Sequence, residues 1–305
     1  MIYTVTGEVQ KADFGRACIH EHICVVSNDM KHTFGTSWFD RDKVITLASE
    51  VLKKLGFGLF VDGTPCDLGR DAEILKAVSE NSGVKIVAST GFYYYPDLFT
   101  ESRTPSELAA WILKECVEGM EGTDIKPGIL KCASNGAEIS NDLKKRLSAM
   151  AMVQKETGLA MYVHCSHSGE ALDTIKILAD SGAIIEKLII GHCGLKPDSD
   201  YLEEILSKGC YIAMDQNHSS GRKEEIPKTL KELCDRGCAN RICLSSDHCI
   251  YSDFTDGKNT GIEKTHEEHI HILNYQQENI YPVFEGSKYD WRKMTSKNIV
   301  DILDV

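Results

Sequence analysis

The chain has 305 residues, of which 42% are hydrophobic and 26% charged, and acidic residues outnumber basic ones by 46 to 34. This composition excludes disordered, collagen-like and coiled-coil proteins, and the length is sufficient for one large domain with a substantial core. The formal net charge of −12 argues against a nucleic-acid partner, because such a protein needs a basic face. It still allows an anionic small-molecule substrate, since a few local cations can bind one.

The unusual feature of the composition is its twelve cysteines. They form no Cys-x-x-Cys pair, and the first residues lack the basic and apolar segments of a signal peptide. No window approaches the roughly eighteen apolar residues of a membrane-spanning helix. We therefore expect a cytoplasmic protein that does not bind membranes and whose thiols are mostly reduced and buried.

Eight short apolar runs alternate with amphipathic stretches along the chain. Continuous apolar runs are typical of parallel strands that are buried on both faces. We expect strands over residues 18–22, 58–63, 84–89, 128–131, 160–164, 188–192, 211–215 and 241–247.

The segments between these runs carry helix signals. The sequence Thr-Pro-Ser-Glu at 104–107 is a capping box with proline at the first helical position, and a later helix should end at Gly158. The alternation predicts an α/β fold, a single (β/α)8 TIM barrel over residues 1–305 with C-terminal helices. A doubly wound open sheet is the alternative, but no Gly-x-Gly-x-x-Gly follows an early strand.

Several predicted strands end in side chains of the kind that bind metals. In a TIM barrel, the carboxyl ends of the strands converge on one axis and carry the active groups. His20 and His22 lie on one face of the first strand, because strand side chains alternate. The other strand ends of this kind are Lys131, His164, His192 and Asp247.

Four imidazoles and a carboxylate buried together need partners, and a metal ion supplies them. These donors suit zinc, with iron, manganese or cobalt as alternatives. For any single histidine the alternative is a hydrogen-bonded core residue. Glu21 should point away from the barrel axis and make a structural hydrogen bond or salt bridge.

Lys131 needs a separate explanation, because an ammonium group beside metal ions is electrostatically unfavourable. Burial lowers a lysine pKa from about 10.4. A neutral amine can then react with carbon dioxide to give a carbamate, which could bridge two metal ions. The alternative is a lysine that extends its amine to the barrel mouth.

These residues, in this order, resemble the phosphotriesterase family of the amidohydrolase superfamily. The matching segments span nearly the whole chain and lie at 15–22, 61–64, 69–71, 128–131, 163–165, 190–192 and 246–247. The resemblance implies a hydrolase with two metal ions, of which the more buried is held by His20, His22 and Asp247. Asp247 would also accept the proton of the attacking hydroxide.

The resemblance assigns the more exposed metal to His164 and His192, with carboxylated Lys131 and a hydroxide bridging both ions. Two metals lower the pKa of a bridging water. Tyr93 matches a tyrosine that reaches the metal centre and the substrate oxygen in the family's lactonases; aromatic packing at the barrel mouth is the alternative. Asp215 would support the site from the end of the seventh strand.

Two positions depart from the lactonase pattern. The aspartate that usually follows the histidine of the sixth strand is missing after His192, and Gln216 stands where a basic residue is common. Candidate substrate contacts are therefore Gln216 and three cations near the predicted mouth, Lys196, Arg222 and Lys223. The cations could bind a phosphate or carboxylate; for Arg222 and Lys223 the alternative is the solvated start of a helix.

Three expectations concern residues next to the predicted centre. Cys132, Cys165 and Cys193 each follow a predicted ligand and should face the helix layer. The loop over 248–265 is long and polar and should shape substrate entry. His266 and His269 are spaced to bind a metal but are expected on a polar helix face.

The predicted activity is attack of a hydroxide on the carbonyl of a lactone or carboxyl ester, including a phosphorylated sugar lactone. Hydrolysis of phosphotriesters or phosphoesters at the same centre is the alternative, since the hydroxide can attack either electrophile. The missing aspartate and Gln216 also allow a protein that is not an enzyme: a metal-stabilised barrel that binds a ligand without turning it over. A small-molecule substrate and a homodimer are the expected partners.

Overall fold

The computed structural model describes residues 1–167, 170–253 and 264–305. The chain starts with an antiparallel hairpin of β1 (Ile2–Thr4) and β2 (Gly7–Val9). A nine-stranded sheet follows, made of β3 (Arg16–Val25), β4 (Phe57–Asp62), β5 (Lys85–Gly91), β6 (Ile129–Ala133), β7 (Met161–His164), β8 (Leu188–Ile190), β9 (Tyr211–Met214), β10 (Ile242–Leu244) and β11 (Cys249–Ser252). All of its pairings are parallel, in the order β10-β9-β8-β7-β6-β5-β4-β3-β11.

The sheet curls into a barrel because one segment of chain forms both of its edges. β10 pairs with β9, and β11 pairs with β3. Between β10 and β11, the Asp247 amide donates to the His20 carbonyl at 3.1 Å. The predicted α/β TIM barrel is therefore confirmed.

The eighth strand of the barrel differs from the prediction. A single strand over 241–247 was expected, but β10 ends at Leu244 and a separate strand, β11, begins at Cys249 and pairs with β3. Asp247 has a left-handed φ of +52°, which is incompatible with an extended ladder. The prediction of one continuous strand is wrong for this reason, and β11 was missed.

Helices cover the outside of the barrel and continue after it. They are α1 (Asn28–Phe34), α2 (Arg41–Leu55), α3 (Ala72–Ser82), α4 (Leu98–Glu101), α5 (Pro105–Glu118), α6 (Asn141–Thr157), α7 (Ala171–Asp180), α8 (Ser199–Ser207), α9 (Ile226–Asp235), α10 (His266–Tyr275) and α11 (Asn298–Leu303). The predicted capping box is present at α5, where the Thr104 side chain and Glu107 exchange hydrogen bonds with each other's backbone. α6 ends as predicted at Gly158, whose φ of +69° favours glycine.

The apolar side chains form a layer inside the barrel and a larger layer between strands and helices. The inner layer includes Ile19, Val61 and Ile189, and Ile299 and Leu303 of α11 pack against it. Lys187, just before β8, donates to the Ile302 carbonyl at 3.0 Å. Helix α11 therefore covers the end of the barrel where the strands begin, opposite the predicted site.

All twelve cysteines carry free thiols. Cys132, Cys165 and Cys193 are buried among the residues between sheet and helices, as strand alternation predicted. Within the described ranges, no helix combines the length and apolarity needed to cross a membrane.

Candidate metal centre

The six side chains predicted as metal ligands meet at the carboxyl ends of the barrel strands. They line one cavity of about 220 Å³ and are His20, His22, Lys131, His164, His192 and Asp247. Each comes from a strand or from the turn directly after one, so the parallel order of the barrel places them around one axis.

Two pairs of nitrogen atoms approach closely inside this cavity. Lys131 Nζ lies 2.6 Å from His20 Nε2, and His192 Nε2 lies 2.6 Å from His164 Nδ1. Lys131 and His192 are 1% exposed. Such contacts concentrate nitrogen lone pairs in a small buried volume, which is the arrangement that a bound cation requires.

Asp247 connects the two sides of the centre. Its Oδ1 lies 3.2 Å from His22 Nε2, and its Oδ2 accepts a hydrogen bond of 2.6 Å from Gln216 Nε2. Gln216, a predicted substrate contact, is thus placed against the carboxylate of Asp247. The other ring nitrogen of His22 lies 2.8 Å from Thr64 Oγ1.

Asp215 orients two of the imidazoles through their Nδ1 atoms. Its two carboxylate oxygens lie 3.0 Å from Nδ1 of His20 and 3.0 Å from Nδ1 of His192, and Tyr162 donates its hydroxyl to it. Because an ionised carboxylate only accepts hydrogen bonds, both Nδ1 atoms must carry the proton. In the neutral form of each ring, the Nε2 lone pair therefore faces the cavity, the state needed for metal binding.

The protonation states of the centre also suit a cation. Burial lowers the pKa of His20 to about 3 and that of Lys131 to about 8. Burial opposes ionisation of Asp247, but the neighbouring His20 and His192 outweigh it and hold the pKa well below its usual range. At neutral pH the centre thus offers a neutral imidazole at His20 and a carboxylate at Asp247, the forms that bind metals.

The backbone around the centre is conformationally strained at three strand ends. His192, Gln216 and Asp247, which follow β8, β9 and β10, have left-handed φ values of +59°, +52° and +52°. Such conformations disfavour non-glycine residues and occur preferentially at functional sites. The sequence carried no signal for them.

Close packing around His20 explains one glycine. A Cβ atom at Gly63 would lie 2.4 Å from His20 Cδ2, so only glycine leaves room for the ring. Glu21 faces the other way and accepts hydrogen bonds from the amides of Ser246 and His248, at 2.7 and 2.8 Å. Its predicted structural role is confirmed, and burial raises its pKa to about 8.

Tyr93 lies at the rim of the cavity. Its hydroxyl is 3.4 Å from His164 Nδ1, and its ring packs against Tyr94 with ring centres 4.3 Å apart. The rest of the cavity lining was not predicted and consists of Val25, Leu68, Tyr95, Cys249 and Ser252. Leu68 and Tyr95 follow β4 and β5, and the other three residues belong to β3 and β11; no sequence motif marked any of them as cavity lining.

The three predicted substrate-binding cations do not line this cavity. Arg222 makes two hydrogen bonds to Glu225, at 2.8 and 2.5 Å, on the exposed surface. The adjacent Lys223 is also exposed. Lys196 Nζ lies 3.8 Å from the ring centre of Tyr201. For Arg222 and Lys223, this placement matches the alternative of a solvated helix start.

The expectation for the tail histidines is corrected in part. His266 is exposed and lies 2.7 Å from Glu50 Oε2, but His269 is fully buried, with Nδ1 2.8 Å from His248 Nε2. The spacing on α10 did not reveal that this face packs against the barrel. Residues 254–263, in the loop predicted to shape substrate entry, lie outside the described residues.

The donor sets fit a divalent cation. Two groups of ligand atoms lie within 4.8 Å of one another, one from His20, His22 and Asp247 and the other from His20, His192 and Asp215. Imidazole nitrogens and carboxylate oxygens together suit zinc and related metals. The fold and this centre thus define an enzyme of the TIM-barrel class with a metal-binding centre at its strand ends.

The chain belongs to the phosphotriesterase family, whose sequence profile matches residues 1–280. It is a hydrolase of this family, and the family depends on two metal ions. The resemblance inferred from the strand-end residues is therefore confirmed.

Three relatives illustrate the range of the family. A phosphotriesterase homology protein of Mycobacterium tuberculosis is 29% identical over 288 residues, which cover 89% of this chain and 88% of the relative. An aryldialkylphosphatase of Saccharolobus solfataricus is 30% identical over 260 residues, 82% of each chain. The human N-acetyltaurine hydrolase is 26% identical over 294 residues, 81% of this chain and 83% of the relative. The names of the relatives include hydrolases of different bonds, so membership does not decide the substrate.

Proposed function

We propose that this protein is a binuclear metal-dependent hydrolase that opens lactones or cleaves carboxyl esters of small, uncharged substrates. The observation that carries the proposal is the placement of the Tyr93 hydroxyl 3.4 Å from His164, at the rim of the cavity that holds the six ligand-type side chains. A phenol in this position can donate a hydrogen bond to an oxygen of the substrate, while the buried centre activates the nucleophile.

We assign His20, His22 and Asp247 to one metal ion and His164 and His192 to the other. Zinc is the metal we propose, with manganese, cobalt and iron as alternatives, because these donors suit all four. When bound, the ions would lower the pKa of a water and polarise the oxygen under attack.

Lys131 would join the two halves of the centre as a carbamate. The neutral amine forms a C–N bond to carbon dioxide and releases one proton to solvent. The side chain, which would otherwise be a cation, thereby becomes an anion. The contact of 2.6 Å between Lys131 Nζ and His20 Nε2 supports this assignment, because the lysine nitrogen reaches the donors of the centre instead of the barrel mouth.

Asp247 is the proposed proton acceptor. Gln216 holds its Oδ2 by a 2.6 Å hydrogen bond, so the carboxylate has a fixed orientation. It is ionised at neutral pH and lies in the cavity, where it can take the proton of the attacking water. Asp215 keeps the His20 and His192 rings in the metal-binding tautomer throughout.

The charge of the cavity lining favours an uncharged substrate. Apart from Lys131 and the histidines, the described residues around the cavity are carboxylate, aromatic, aliphatic, thiol or hydroxyl groups. Arg222, Lys223 and Lys196 lie elsewhere, so the placement gives no support to a phosphorylated sugar lactone. An aliphatic or aromatic lactone is the better match to this lining.

Hydrolysis of a phosphotriester is the second candidate. It is favoured by the 30% identity to an aryldialkylphosphatase, and a phosphotriester is also uncharged. The same two ions and the same carboxylate would serve a phosphoryl electrophile, so the cavity shape must decide between the two substrates.

The test compares four substrate classes on the zinc-loaded protein: γ- and δ-lactones, aryl carboxyl esters, a dialkyl aryl phosphate and N-acetyltaurine. We expect kcat/KM for the best lactone or ester to exceed that for the phosphate by at least about tenfold. The reverse order would establish the second candidate. Amide cleavage alone would overturn both.

The variants His164→Ala and Asp247→Ala should abolish turnover, while His266→Ala, an exposed histidine bonded to Glu50, should retain it. Tyr93→Phe should lower kcat for lactones by roughly 10²-fold, as expected for a lost transition-state hydrogen bond. Full metal occupancy without turnover on any class would instead indicate a binding protein.

A further inference from the structure

The largest fully buried side chain of the described residues is that of Arg146, on α6. Its Nη1 donates a 2.8 Å hydrogen bond to the backbone carbonyl of Tyr93, and its Nη2 lies 2.5 Å from Asp142 Oδ2. A guanidinium buried in this way holds the peptide of a residue that the proposed function places in catalysis.

The same peptide segment is held from a second side. Asp67, in the 3-10 turn after β4, accepts a 2.7 Å hydrogen bond from the Tyr93 amide. The Asp67 carboxylate lies 4.0 Å from Arg146 Nη1. Tyr93 is therefore bonded through both its N–H and its C=O to two side chains that are themselves neighbours.

We propose that Arg146 and Asp67 are positioning residues for Tyr93, which fix its backbone so that the phenol stays at the metal centre. This inference rests on the proposed function, since it assigns a task to residues that act through Tyr93. Neither side chain lines the cavity, so neither touches the substrate.

Three observations favour a positioning role over a purely stabilising one. A buried ion pair contributes little to stability compared with well-packed apolar side chains. Arg146 Nε is also buried without a hydrogen-bond partner among the described residues, which adds a cost. Finally, residues 92–97 lie between β5 and α4 and belong to no helix or strand, so no regular backbone pairing would otherwise fix Tyr93.

Arg70 provides a matched control within the same protein. It is 3% exposed and bonds Glu115, Glu121 and the Ser89 carbonyl, at 2.7, 2.7 and 2.9 Å. It is thus nearly as buried as Arg146 and more fully hydrogen-bonded, but the carbonyl that it bonds belongs to a strand residue. Its loss should destabilise the fold without releasing Tyr93.

The first experiment is a double-mutant cycle on lactone turnover. Arg146→Lys keeps the charge but loses the planar group that spans Tyr93 and Asp142, and we expect a fall in kcat of about tenfold. In the Tyr93→Phe background, the same change should lower kcat by less than about twofold, because there is no hydroxyl left to misplace. Equal losses in both backgrounds would overturn the proposal. Arg70→Lys should show no such coupling.

The second experiment does not depend on turnover or on metal. Hydrogen–deuterium exchange of the metal-free protein measures how fast the backbone amides of residues 92–97 exchange with solvent. We expect Arg146→Lys and Asp67→Ala to speed exchange there at least about fivefold, while Arg70→Lys leaves it at the wild-type rate. Unchanged exchange in both variants would refute the positioning role.

The two experiments separate the two possible failures. If Tyr93→Phe alone leaves lactone turnover unchanged, the catalytic assignment of Tyr93 fails, and with it the proposal that these residues position a catalytic group. If Tyr93→Phe lowers turnover but exchange and the cycle show no effect of Arg146, only the positioning role fails.

Discussion

Lys131 Nζ lies 2.6 Å from His20 Nε2, although the two residues are 111 positions apart in the chain. The amine is 1% exposed and also lies 4.3 Å from the centre of the Tyr162 ring. An ammonium group this close to a ligand-type imidazole would compete with any cation for the same lone pair. The contact therefore makes chemical sense if the lysine nitrogen is converted to an anionic ligand.

The first prediction concerns this conversion. With ¹³C-labelled carbon dioxide and zinc, wild-type protein should show a carbamate carbon signal by NMR that is missing in Lys131→Met. The same variant should lose at least about 10³-fold in kcat/KM, because a bridging anion is lost from the two-metal centre. Lys187→Met, at the opposite end of the barrel, should retain both signal and activity. A labelled signal that persists in Lys131→Met would contradict the assignment.

The second prediction concerns the orientation of the imidazoles by Asp215. Asp215→Asn should weaken zinc binding by about 10- to 100-fold, because His20 and His192 lose the carboxylate that fixes their tautomer. Tyr162→Phe removes a single hydrogen bond to Asp215 and should have a smaller effect. Competition with a chromogenic chelator measures both affinities. Asp198→Asn, a helix cap on the surface, is the control, and an equal loss there would contradict the prediction.

The third prediction follows from the buried contact between His248 and His269. Burial lowers the pKa of His248 to about 3 and of His269 to about 4, below the ordinary value of 6.5. Both rings must therefore be neutral in the folded state, whereas they accept protons in the unfolded chain below about pH 6.5. Protonation of the unfolded chain therefore lowers the free energy of unfolding. This loss is absent above about pH 6.5 and grows as the pH falls toward about 4.

For the metal-free protein, the free energy of unfolding should drop between pH 7 and pH 5 by roughly 2 kcal/mol for each such histidine. Urea denaturation at the two pH values measures the drop. His269→Asn should make the drop smaller by the roughly 2 kcal/mol that one histidine contributes. His266→Asn, on the exposed side of the same helix, should leave the drop unchanged. A His269→Asn protein with the wild-type drop would show that this ring does not carry the pH dependence.

The fourth prediction concerns helix α11. Leu303 is 0% exposed and packs against the inner layer of the barrel. Leu303→Ala should lower the free energy of unfolding by about 2–5 kcal/mol, since it leaves a cavity in a packed core. The exposed Val305→Ala, two positions further on, should change it by less than about 0.5 kcal/mol. Chemical denaturation of the wild type and the two variants measures these changes, and lactone turnover should be similar in all three proteins.

The barrel and the gathering of the six ligand-type residues were predictable from local patterns. Apolar runs that alternate with amphipathic segments dictate strands and helices, and a closed parallel barrel necessarily brings the ends of its strands together. His20 and His22 show this well, because their spacing alone puts both imidazoles on one face. The break in the eighth strand was not predictable, since the left-handed backbone of Asp247 has no composition signal.

The positions of the cations predicted to bind substrate could not be derived from the sequence either. Arg222 and Lys223 follow β9 in the chain, but the local pair with Glu225 decides where the guanidinium points. His269 lies three positions after the exposed His266 and was expected on the same polar face, yet α10 packs His269 against His248. Such outcomes depend on which elements meet in space.

The sequence by itself thus determined the fold class, the end of the barrel that carries the centre, and the residue types available there. It did so because strand periodicity and barrel closure are local and topological constraints. Only the tertiary structure decided how these residues are oriented: Asp215 bonded to two imidazoles, Gln216 bonded to Asp247, and Tyr93 held between Asp67 and Arg146. Those contacts join positions far apart in the chain, and their directions depend on side-chain packing that no sequence pattern encodes.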